Sequence, residues 1–108
     1  IGMARAMGAA LFAEPVSAKK AAEWGMIWEA VPDASFLALV ESRALHLASG
    51  PTEGYRLIKK AMRASIDHTL AEQLEIEARL QGKAGRTSDF KEGVMAFLEK
   101  RKAQFEGR

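Results

Sequence analysis

Apolar positions recur at helical spacing along most of the chain. Across residues 2–12, Met3, Met7 and Leu11 repeat on one face among the strong formers Ala4, Ala6, Ala9 and Ala10. This predicts a helix that Pro15 ends. Ser17 fits the N-cap of a short helix over 18–24, with Gly25 just past its end, where left-handed backbone costs little. Met26-Ile27-Trp28-Glu29-Ala30-Val31 has the composition of one short strand. Pro32-Asp33 marks a turn and cap. Phe36, Leu39, Val40, Ala44 and Leu47 then trace a helix to about Ala48, closed by Gly50-Pro51. Thr52 can cap the next helix, whose apolar face is Tyr55, Ile58, Met62 and Ile66, with Arg56, Lys59, Lys60 and Arg63 towards the other side. A further helix over 69–83 turns Leu70, Leu74, Ile76 and Leu80 inward and Glu72, Glu75 and Glu77 outward. The last helix starts near Ser88 or Asp89 and runs to about Arg101, carrying Phe90, Val94, Met95, Phe97 and Leu98.

The pattern is therefore mainly α, with five or six helices and one short strand. A lone strand cannot satisfy its own edges. It is expected to pair outside these residues or to lie extended on a surface. The first helix opens without a cap, and the chain begins Ile1-Gly2 with no initiator methionine. Both features lead us to expect part of a longer protein. The apolar faces exceed what one layer of helices buries, so contacts with a further domain or with other subunits are expected.

Composition narrows the function classes. Hydrophobic residues are 48% and charged residues 28% of the 108, as in a folded globular chain. The net charge is +2, from 16 basic and 14 acidic residues spread along the sequence. That is too little for a nucleic-acid face. The absence of cysteine excludes disulfides, thiolate metal sites and cysteine nucleophiles, and fits a cytoplasmic protein. No apolar run approaches the roughly 20 residues that span a bilayer.

Candidate chemistry is sparse. His46 and His68 have no partner at metal-ligand spacing, so no metal site is expected. Ser65, Asp67 and His68 offer triad residue types, but sequence neighbours do not give triad geometry. Glu72 and Glu75 share a helix face and read as a solvated stripe. Gly82-Lys83-Ala84-Gly85-Arg86 is too short for a phosphate loop. No catalytic constellation emerges from these residues alone. One grouping stands out: on a helix reaching Arg101, Phe97, Lys100 and Arg101 would share a face. A ring beside two cations suits a nucleotide, with the ring on the base and an ammonium on phosphate. The alternative is a core phenylalanine beside an ordinary basic helix end.

Three stretches carry a family resemblance. Ser17-Ala18, Ala21, Gly25-Met26-Ile27 and Ala30-Val31 form the first. Gly50-Pro51-Thr52 with Lys59 forms the second. Glu92-Gly93-Val94, Ala96-Phe97-Leu98-Glu99-Lys100-Arg101 and Phe105 form the third and most distinctive. In this order they resemble the enoyl-CoA hydratase/isomerase (crotonase) family and cover nearly the whole chain. The resemblance implies the C-terminal helical region of a ββα-spiral α/β fold. On it, residues 1–33 are the end of the spiral core and 34–108 a helical oligomerisation region. It implies an acyl-CoA thioester substrate, no separate cofactor, and a homo-oligomer, trimeric or hexameric. The family's oxyanion donors and acid–base carboxylates are expected upstream of Ile1, so the resemblance places no catalytic residue in this chain. Phe97 and Lys100 match family positions that contact the CoA nucleotide. Ala103 departs from a proline common in the family, which bears on the path of the tail. The run Trp24 to Glu29 looks most like members that isomerise ring-derived acyl-CoAs in phenylacetate breakdown. The competing expectation is a non-catalytic helical assembly module derived from such an enzyme.

Overall fold

The structure, a computed structural model, describes residues 1–108. Six helices carry it: α1 (Met3–Phe12), α2 (Ala18–Glu23), α3 (Asp33–Ala48), α4 (Thr52–Ala64), α5 (Leu70–Ala84) and α6 (Ser88–Leu98). Contacts divide it into two compact units, Ile1–Val40 and Glu41–Arg108, and α3 runs across the boundary.

In the first unit the end signals read from the sequence act as expected around α2. Ser17 is the N-cap, its Oγ accepting the Lys20 N–H at 3.2 Å. Gly25, at φ 75°, follows the C-cap. Its N–H donates to the Ala22 carbonyl at 3.0 Å, and the Met26 N–H donates to the Ala21 carbonyl at 2.9 Å. These two bonds are the Schellman pattern, which satisfies carbonyls that the helix end leaves open. The Arg5 guanidinium and Lys20 ammonium approach the Trp24 ring at 5.9 and 5.8 Å from its centre. Arg5 also donates to the Trp24 carbonyl at 3.5 Å, tying α1 to the end of α2.

The strand expected over 26–31 does not form; residues 26–28 are bends. The Met26 and Ile27 amides, which a ladder would need, both point back to the Ala21 carbonyl. No second strand exists among residues 1–108 to offer a ladder instead. Strand composition without a partner edge does not make a strand.

In the second unit α4 and α5 form a helical hairpin across the short link 65–69. Leu57 and Leu80 are buried in it, with Ala61 and Ala84 along the same seam. Gln73 crosses the hairpin: its amide donates to the Ala61 carbonyl at 3.2 Å and to Glu77 at 2.8 Å. Thr69 and Glu72 form a capping box at the start of α5. Thr52, expected as a cap, is instead the first residue of α4; Pro51 holds the cap position and offers no side-chain bond. Gly50 is buried, and a Cβ there would fall on the Tyr55 hydroxyl, so the close approach requires glycine.

Most of the apolar stripe stays bare. Ile58, Met62, Ile66, Leu70 and Leu74 are exposed, as are Phe36, Leu37, Leu45 and Leu47 on α3. Periodicity correctly finds an apolar stripe, but one hairpin covers only the part that faces its neighbour. The buried apolar residues are just Ala21, Leu57, Leu80 and Ala96.

Candidate functional site

The region around Phe97 and Lys100 is built by α6 and the tail that folds back beside it. Thr87 caps α6, its Oγ1 accepting the Phe90 N–H at 3.1 Å. Two residues on, Asp89 is buried, and its carboxylate accepts the tail N–H groups of Glu106 at 2.7 Å and Gly107 at 2.9 Å. The Asp89 N–H and the Ser88 hydroxyl both donate to the Arg108 carbonyl. The tail therefore ends on the first turn of α6. This places Phe105 against Gly93, where a Cβ would sit 3.6 Å from the ring.

Folding back the tail creates an apolar groove of about 440 Å³, with Pro51, Phe90, Val94, Phe97, Leu98 and Phe105 among its walls. Phe97 stands on this groove and is 83% exposed. Within residues 1–108 the ring is open to a ligand or a partner and belongs to no core.

The helix end differs from expectation. α6 stops at Leu98, not near Arg101. The Lys100 N–H donates to the Phe97 carbonyl at 3.3 Å and the Arg101 N–H to the Ala96 carbonyl at 3.0 Å. Lys100 itself is left-handed, at φ 54°. The shared helical face of Phe97, Lys100 and Arg101 therefore does not exist. The structure places Phe97 on the last turn and exposed Lys100 in the turn that reverses the chain just beyond it. Sequence spacing misses this because no glycine marks the stop.

Arg101 leaves the cationic group as well. Its guanidinium donates to both oxygens of Glu92, at 2.6 and 2.9 Å, and to Glu99 at 2.6 Å. Glu92 also accepts the Gln104 N–H at 2.8 Å. The Arg101 bonds first, and the Gln104 amide second, hold the Glu92 carboxyl down at about 2 from the ordinary 4.5. Its contribution to stability is thus full above 4.5 and is lost as pH falls through about 2. The Arg101 pKa is raised by the Glu92 and Glu99 bonds.

Two further carboxylates of this unit have structural partners. Glu53 chelates Arg56 at 2.6 and 2.5 Å. Glu72 serves the capping box, and its pKa is lowered chiefly by the Thr69 hydroxyl. His68 Nδ1 lies 3.2 Å from the Gln73 side-chain oxygen, not in a triad with Ser65 and Asp67. Sequence reasoning missed Asp89 and Glu92. For Asp89 the only available signal was an acid in the first turn of a helix, which the helix dipole alone would explain; Glu92, a turn further on, carried no signal beyond its place in the third stretch.

Comparison with known proteins places this geometry. The sequence profile described as enoyl-CoA hydratase/isomerase matches residues 1–108. A probable enoyl-CoA hydratase from Rhodobacter capsulatus is 55% identical over 108 residues, 100% of this chain and 42% of that protein. A 1,2-epoxyphenylacetyl-CoA isomerase from Escherichia coli is 48% identical over 107 residues, 99% of this chain and 41% of that protein. Among solved structures, an enoyl-CoA hydratase subunit from Geobacillus kaustophilus superposes with a TM-score of 0.94 at 33% identity, covering 100% of this chain and 42% of that one. The chain thus spans about two fifths of the length of these relatives.

Proposed function

This chain belongs to the enoyl-CoA hydratase/isomerase (crotonase) family, and we propose that it supplies one wall of a coenzyme A site and subunit contacts to an enzyme acting on enoyl-CoA thioesters. In that enzyme, backbone donors hold the thioester oxygen as enolate charge develops, and carboxylates add water or move a proton. Those groups are proposed to lie outside residues 1–108; within these residues, Glu53, Glu72, Asp89 and Glu92 are committed to structural bonds. The observation that carries the reading is an exposed Phe97 ring with the cationic, exposed Lys100 in the turn just past the helix end. A ring and an ammonium in that order suit adenine and phosphate. The 48% identity to an epoxyphenylacetyl-CoA isomerase keeps a ring-derived acyl group in view. The exposed apolar residues of α3, α4 and α5 favour assembly into a trimer or hexamer, a role that a purely non-catalytic assembly module would share.

Lys100→Ala tests the site in the protein at its natural length. We expect weaker binding of CoA by about tenfold, the scale of one charge-assisted phosphate contact, with turnover at saturating substrate little changed. Unchanged CoA affinity removes Lys100 from the site.

A further inference from the structure

The left-handed turn at Lys100 is not what singles it out. Ala13 adopts the same region, at φ 51°, at the end of α1. What differs at Lys100 is the fastening on either side. Before it lies Glu99, whose carboxylate takes the Arg101 Nε–H. After it lies Arg101, chelated by Glu92 from more than two helical turns back in the sequence, and then Gln104, whose N–H is taken by the same Glu92. Glu92 is half-buried and spends both oxygens on this segment. One carboxylate thus ties the Arg101 side chain and the Gln104 backbone to α6, which bounds the course of residues 101–104.

We infer that Glu92 is a positioning residue: by clamping Arg101 and the Gln104 amide, it holds Lys100 in the left-handed turn just past Phe97, from which its ammonium reaches the nucleotide. The inference rests on the CoA reading and extends it. In this reading Glu92 itself makes no contact with the nucleotide. A lysine side chain has many rotamers, and a backbone free to leave the left-handed region would add further directions. Glu92 restricts the backbone share of that freedom. The apparent dissociation constant of a site rises in inverse proportion to the fraction of molecules holding the competent geometry. Release of the clamp therefore weakens the nucleotide contact without changing the contact itself.

The test is a double-mutant cycle in the protein at its natural length, read by titration calorimetry with CoA and with pantetheine, which lacks the nucleotide. If the unclamped turn is competent in one molecule out of five to ten, Glu92→Gln raises the dissociation constant for CoA about five- to tenfold. Pantetheine binding stays unchanged. In a Lys100→Ala background the same change adds nothing, because no ammonium remains to be placed. Arg101→Gln, which removes the other half of the clamp, reproduces the result if the Glu92 variant folds poorly. An equal loss with and without Lys100, or a matching loss for pantetheine, overturns the positioning role in favour of general damage. Should Lys100→Ala weaken CoA binding while neither clamp variant does, the positioning role falls and the CoA reading stands. If Lys100→Ala itself has no effect, the CoA reading falls and takes this inference with it.

Discussion

The ends of α2 and α6 close with the same pair of backbone hydrogen bonds but place different residues in the left-handed position. At α2 it is Gly25, with open space where a side chain would begin. At α6 it is Lys100. In both, the carbonyl that receives the longer-range bond belongs to a buried alanine, Ala21 or Ala96, so packing at the base of the turn is alike. The left-handed region costs a non-glycine residue about 1–2 kcal/mol. α2 avoids that cost. α6 bears it, and surrounds the turn with the Glu92–Arg101 pair and the tail held by Asp89. A turn that needed only to stop a helix would do better with glycine. On the proposed CoA contact the lysine is kept for its side chain, and the bonds around it offset part of what that conformation costs.

Three substitutions press on this contrast in the protein at its natural length, each read as a shift in urea midpoint. Asp89→Ala strikes the tail at α6, for which α2 has no counterpart. It leaves two tail N–H groups without their carboxylate, and we expect a loss of about 2–3 kcal/mol. A loss below about 0.5 kcal/mol, the size of an ordinary surface change, would mean that the tail contributes nothing to the α6 end. Gly25→Ala should cost about 1–2 kcal/mol from backbone alone, since no neighbour lies within 4 Å of the added methyl. Lys100→Gly should run the other way and stabilise by about 0.5 kcal/mol, the relieved turn strain being offset in part by the freer unfolded chain. It should also weaken CoA binding as Lys100→Ala does. If Lys100→Gly destabilises as much as Gly25→Ala, the two ends are not alternatives for one motif and the contrast fails.

Local signals were legible where both partners of a bond lie within a few residues. Ser17, Gly25 and the periodicity of the helices needed only their own neighbourhood, and the family followed from three short stretches in order. Three features were not legible. The segment 26–31 has strand composition, but forming a strand depends on a partner edge that is absent from these residues. The stop at Leu98 carries no glycine, so periodicity alone carries the helix through Lys100 to Arg101 and gives a shared face that the turn abolishes. Asp89 and Glu92 reach their partners 9 to 18 positions away along the chain. No local rule couples positions so far apart, and an acid early in a helix already has a sufficient explanation in the dipole.

The fastened turn also bears on how the chain would be cut. Lys100, Arg101 and Lys102 are three successive sites for a trypsin-like protease, in a surface stretch. Proteases of this kind take their substrate as an extended strand, and nicking concentrates where backbone is free to adopt one. Here the first of the three residues is left-handed, the second is chelated, and the segment beyond is tied at Gln104. The richest run of cleavage sites is thereby withheld from digestion while the strap is closed. A cut within it records a moment when the strap had opened.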